Sequence, residues 1–170
     1  AQPLGKRLIF DAPVLSIEQD DSSVRVRTAR GDCIGRHVIV SVPPTLAGRI
    51  NYAPALPALR DQLTQRMPMG SVIKCIAVYK SPFWRKAGFS GEFVSDRGPI
   101  RLCFDECSHD ASQAALVGFM LGRSAREHCE QPDERRDAAL QSFARVFGPE
   151  ARNCVAYTDK NWIEDRWSGG

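Results

Sequence analysis

Lys74 stands inside an apolar run, "MGSVIKCIAVYKSPFWRK" from Met69 to Lys86. In an extended chain its side chain would share a face with Val72, Ile76 and Val78, because strand side chains alternate with period two. An ammonium in such company is costly unless it is paired, hydrated or neutralised. Two readings suit it. It snorkels from a partly exposed strand, or it lines a dry cavity where a water or a cofactor atom accepts its hydrogen bonds. Trp162 carries a similar choice between a packing residue and the wall of a cofactor site.

Other reactive residue types are scattered. The six cysteines, Cys33, Cys75, Cys103, Cys107, Cys129 and Cys154, form no Cys-x-x-Cys. The nearest pair, in "CFDEC", has His109 close by but no second histidine at metal-ligand spacing, so reduced thiols are expected and no metal. Reduced thiols point to a cytoplasmic protein. His37, His109 and His128 fall in a strand, a loop and a helix, where ordinary structural roles are expected. No G-x-G-x-x-G or G-x-x-x-x-G-K-[ST] run supplies a phosphate cradle, and no G-x-S-x-G or His-Glu-x-x-His supplies a hydrolytic centre. The net charge of +3 comes without a basic block or a basic–aromatic stripe, which argues against nucleic acid. No apolar run approaches the roughly 20 residues of a membrane helix.

The elements that must position these groups read as α+β. With 170 residues, 43% of them apolar, the chain can bury a real core. "PVLSIEQD" from Pro13, the alternating "VRVRT" and the apolar "RHVIVSV" predict a β-meander, with "ARGDC" as a turn and Pro43-Pro44 as a stop. The near-continuous apolar third strand should be covered on both faces. A helical turn is expected in "PTLAGR", and a helix in "PALPALRDQLTQRM" with Leu56, Leu59 and Leu63 on one face. The strand with Lys74 follows, then a loop "SPFWRKAGFSG", a hairpin of "EFVSD" and "IRLCFDE", and a buried strand "AALVGFMLG". "SAREHCEQ" predicts a short helix and Pro132 to Phe147 a longer one stopped by Gly148; "CVAYTD" is a last strand.

As a set, "HVIVSVPPTLAGRI", "PMGSVIKC", "KSPFWRK", "VGFMLG" and "KNWIEDRWSGG", in that order and separation, resemble the flavin-containing monoamine oxidases and their bacterial putrescine-oxidase-like relatives. The resemblance covers nearly the whole chain. It implies a β-meander of the FAD-binding domain over 1–44, then a mixed β-sheet flanked by helices in a substrate-binding domain over 45–158, and a return segment over 159–170. It also implies an interior fragment, because the glycine-rich FAD motif of the family lies upstream of the matching region. The family cysteine that bonds the flavin follows the "SGG" directly.

Carried over by position, the resemblance gives Lys74 the part of a lysine that holds a water against the flavin N5 atom. Trp162 packs near the isoalloxazine ring. Val14 contacts the adenosine part of FAD, and Ser41 and Val42 lie where the chain passes the cofactor. Phe119 lines the substrate cavity, as do the positions of Val94, Leu102 and Phe104, whose side chains differ from the animal enzymes. The implied reaction oxidises an amine to an imine that hydrolyses to an aldehyde, with oxygen reduced to hydrogen peroxide. The expected partners are a small amine, the remaining FAD-binding segments of the same polypeptide and a second copy in a homo-oligomer. FAD belongs to the full-length protein, and the isolated chain is expected to hold none and to be inactive. A polyamine or amino-acid oxidase, or a non-catalytic α+β binding module, are the alternatives.

Overall fold

The structure is a computed structural model and describes residues 4–110 and 112–169. The chain divides into two compact units, Ala1–Pro68 and Met69–Gly170.

The first unit is a four-stranded sheet with two short helices. Strands β1 (Val14–Gln19), β2 (Val24–Thr28) and β3 (Gly31–Gly35) form the expected meander. Asp20 accepts the backbone N–H of both Ser22 and Ser23 and so closes the first turn. The second turn is tighter than "ARGDC" suggested, because Gly31 takes a φ of 119° and enters β3 directly. Helix α1 (Pro44–Ala47) follows the Pro-Pro stop, and β4 (Asn51–Ala53) returns parallel to β1. Helix α2 is Ala58–Arg66, with Pro57 at its N-cap.

Two expectations fail here. The segment "RHVIVSV" is no strand, and its apolar side chains are open, Ile39 at 91% exposure. A strand is stable only when its backbone groups find a ladder partner, and within this unit the segment pairs with none of the four strands. On α2, Leu59 is 82% exposed and Leu63 is also open, so the helix buries Thr64 instead of the predicted leucine face. The Thr64 hydroxyl returns to the Asp61 carbonyl, which satisfies it there.

The second unit is built on a five-stranded sheet in the order β6-β7-β8-β5-β9. The strands are β5 (Val72–Tyr79), β6 (Phe93–Val94), β7 (Ile100–Asp105), β8 (Ala114–Leu121) and β9 (Ala156–Asn161). Every pairing in it is antiparallel, where a mixed sheet was expected; the parallel pair is β1 with β4. Short links between β6, β7 and β8 leave no room for the crossover a parallel neighbour needs. Helix α3 (Phe83–Lys86) interrupts what was read as a loop, α4 (Arg123–Glu127) follows β8, and α5 (Pro132–Phe147) has the predicted bounds.

The sheet buries one face. Ile73, Cys75, Ala77 and Tyr79 alternate inward along β5, and Leu116 and Met120 do so along β8. Ala139, Leu140, Phe143 and Phe147 of α5 complete this core, with Trp84 fully buried at its end. Gly118 is needed for the fit: a Cβ there would stand 2.8 Å from two ring carbons of Phe143. Burial pushes the Cys75 thiol up to about 11 and the Cys103 thiol to about 12, so both stay protonated as packing groups. All six cysteines are free.

Two polar hubs brace the core. Asp105, at the end of β7, accepts the Trp84 indole N–H at 2.8 Å and two hydrogen bonds from Arg85 at 2.7 and 2.8 Å. Arg135 of α5 pairs with Asp159 of β9 at 2.7 Å, both side chains nearly buried, and also donates to the carbonyls of His128 and Cys129. That pair ties the helix to the sheet and raises the Arg135 pKa, chiefly through the Asp159 hydrogen bond.

Candidate active site

The alternation that sends Ile73 and Cys75 into the core sends Val72, Lys74, Ile76 and Val78 to the opposite face, where all four are half-buried. The registers then line up the expected residues. Val94 opposes Leu102, Leu102 opposes Phe119, Phe119 opposes Lys74, and Lys74 opposes Lys160. Five strands thus contribute one residue each to a single transverse row. Side chains directly opposite on antiparallel strands lie about 5 Å apart at Cβ, so neighbours in this row touch or nearly touch.

Phe104 extends the row on the same face, its ring edge-on to Phe119 with centroids 6.2 Å apart. Val94 at 84% exposure and Phe104 at 40% leave the far end open. At the near end Trp162 follows β9, and its N–H donates to the Val72 carbonyl at 3.1 Å. Its indole lies by Lys160, the residue that opposes Lys74. The Lys160 ammonium lies 5.3 Å from the centroid of that indole and 2.7 Å from the Asp165 carboxylate.

Lys74 differs from Lys160. Among the described residues its ammonium has no ion pair or hydrogen bond. A half-buried cation in a row of Val, Leu and Phe, beside an indole, suits a flat conjugated ring with hydrogen-bond acceptors on its edge. The donor set therefore fits a flavin, with Lys74 and Trp162 as the groups that would hold it.

In the first unit, Val14 is the first residue of β1 and is exposed. It lines a cleft of about 250 Å³ together with Ile9, Ala12, Val26, Arg30 and Asp32. The Arg30 guanidinium is fixed there by a 3.0 Å hydrogen bond to the Phe10 carbonyl. Ser41 and Val42 lie in the open segment before Pro43 and do not line this cleft. The structure thus gathers Lys74, Trp162, Val94, Leu102, Phe104 and Phe119 on one face of the second unit, and places Val14, Ser41 and Val42 in the first.

Sequence reasoning passed over Lys160 and Asp165. The signal was available: Lys160 precedes Trp162 by two residues, so an extended chain puts both on one side.

Residues 1–170 match the family model for flavin containing amine oxidoreductase. The chain belongs to that family. It is 46% identical to the probable flavin-containing monoamine oxidase A of Dictyostelium discoideum over 167 residues, covering 97% of this chain and 37% of that one. Among solved structures it resembles wild-type putrescine oxidase bound to putrescine, with a TM-score of 0.92 and 33% identity over 98% of this chain and 38% of the other. Cyclohexylamine oxidase from Brevibacterium oxydans gives 0.88 and 31%, over 93% and 35%. The chain therefore spans little more than a third of the length of these relatives, and its α+β architecture is that of an amine oxidase.

Proposed function

We propose that the full-length protein is an FAD-dependent oxidase that deaminates an amine to an aldehyde and releases hydrogen peroxide. This chain supplies the substrate-side wall of its site. In this reading residues 1–44 belong to the FAD-binding domain, 45–158 to the substrate domain and 159–170 to the return toward the cofactor. The observation that carries it is the row Val94–Leu102–Phe119–Lys74, an apolar surface that leads to an ammonium with no partner among the described residues.

FAD, when bound, supplies the acceptor for the two electrons that leave the substrate. The chain's own residues do the rest. Leu102, Phe104 and Phe119 exclude water and favour the uncharged amine over its ammonium form. The Lys74 ammonium holds a water by hydrogen bonding and places positive charge where negative charge develops on reduction. Val14 and its cleft receive the adenosine part. No acidic side chain stands in the transverse row, so an apolar monoamine suits this surface better than a diamine such as putrescine. The six free thiols accord with a reducing, cytoplasmic location.

The test is Lys74→Met in the full-length protein. Flavin reduction by amine and reoxidation by oxygen are followed separately by anaerobic stopped-flow absorbance. Loss of one preorganised donor predicts a fall of about 10²-fold in at least one of the two steps. Both rates unchanged would remove Lys74 from the site.

A further inference from the structure

Lys160 lies directly across from Lys74 in the β5/β9 register. Like charges opposed on neighbouring strands repel. Asp165 resolves the conflict. Its carboxylate takes the Lys160 ammonium at 2.7 Å, and the same ammonium rests over the Trp162 ring at 5.3 Å from its centroid.

Asp165 is itself held in place. Its Oδ1 accepts the backbone N–H of Trp167 and of Ser168, each at 3.0 Å. Its carbonyl accepts Gly169 N–H at 2.7 Å, and its own N–H donates to the Trp162 carbonyl at 3.2 Å. The Lys160 hydrogen bond, with help from the Trp167 N–H, holds its carboxyl below the usual carboxylate range, so it stays anionic. A half-exposed pair of this kind adds little to stability. Its consequence is where charge sits: Lys160 is neutralised and turned toward the indole, and Lys74 has no counter-charge among the described residues.

We propose that Asp165 is a positioning residue of the amine-oxidising site. By binding Lys160 against Trp162 it cancels the second positive charge of the row and steadies the indole plane. The inference rests on the reading of Lys74 and Trp162 as flavin-facing residues.

The experiment measures the midpoint potential of the flavin in the full-length holoprotein, which requires no amine turnover. Lys74→Met serves as the control and should shift the potential to a more negative value, since a nearby cation stabilises the reduced, more anionic ring. Asp165→Asn leaves Lys160 uncompensated and should shift it to a more positive value. Asp165→Glu, which keeps the charge, should restore it. Lys160→Met/Asp165→Asn carries no net charge change at the pair and should return the potential to that of the wild type. The double variant also keeps the test decisive where Asp165→Asn alone binds flavin poorly. A potential unmoved by Asp165→Asn, while Lys74→Met shifts it, overturns the role of Asp165 and leaves the oxidase reading standing. A double variant shifted as far as Asp165→Asn assigns the effect to the 165–169 turn and overturns the proposal too. A potential that ignores Lys74→Met refutes the parent reading instead.

Discussion

Replacing Asp105 with Asn should cost the second unit about 1.5–4 kcal/mol at neutral pH. The figure follows from the groups left behind. Trp84 is fully buried, and its indole N–H has the Asp105 carboxylate as its acceptor at 2.8 Å. A buried donor stripped of its acceptor costs about 1–3 kcal/mol. Arg85 adds a bidentate contact, but its side chain is 44% exposed, so that pair is screened and adds only about 0.5–1 kcal/mol.

The pH dependence gives a second handle. Burial by itself would raise the Asp105 pKa, but hydrogen bonds from Arg85, Trp84 and Cys107 outweigh it and hold the carboxyl well below its ordinary range. A carboxyl depressed on folding contributes stability above its unfolded pKa of about 3.9 and loses it as pH falls toward the folded value. Equilibrium urea unfolding of wild type and Asp105→Asn, followed by tryptophan fluorescence from pH 7 down to pH 3, should therefore show a gap that is constant above about pH 5 and narrows below about pH 4. Coincident curves at pH 7, or a gap that persists unchanged at pH 3, would refute the reasoning.

Two further outcomes follow from the core. Gly118→Ala forces a methyl to 2.8 Å from the Phe143 ring and 3.0 Å from Ile100 Cγ2, and Phe143 is fully buried with nowhere to turn; a loss of about 1–3 kcal/mol is expected in urea unfolding, with partial recovery in Gly118→Ala/Phe143→Leu, and a variant as stable as wild type contradicts the packing described. Asp159→Asn strands the buried Arg135 guanidinium, so unfolding should come about 3–5 kcal/mol sooner, whereas an exposed pair such as Arg123–Glu127 should tolerate Glu127→Gln with almost no change in the same measurement.

The second unit was largely legible in the sequence because its strands and long helix carry strong periods. Pro132 and Gly148 mark the ends of α5, and the clean alternation of β5 sets Lys74 on one face with Val72, Ile76 and Val78. The first unit was legible in its hairpins, in the helical turn after Pro43 and in α2, and not in the segment between β3 and that turn. "RHVIVSV" has the composition of a buried strand, but composition reports preference, and pairing needs a partner at the right distance. The same holds for Leu59 and Leu63, apolar at helical spacing yet open to solvent within their unit. In the site, the members of the row could be named singly, while their alignment depends on registers between strands distant in sequence. Asp165 was missed because its partner is chosen by a turn.

The two sides of β5 answer to different demands. Ile73, Cys75 and Ala77 belong to the core that α5 completes, while Lys74 and its cross-strand neighbours lie on the opposite face of the sheet. Val94, Leu102, Phe104 and Phe119 can therefore be exchanged for residues of other shapes without loosening the scaffold behind them. That face can change its shape and chemistry while the folded framework behind it stays the same.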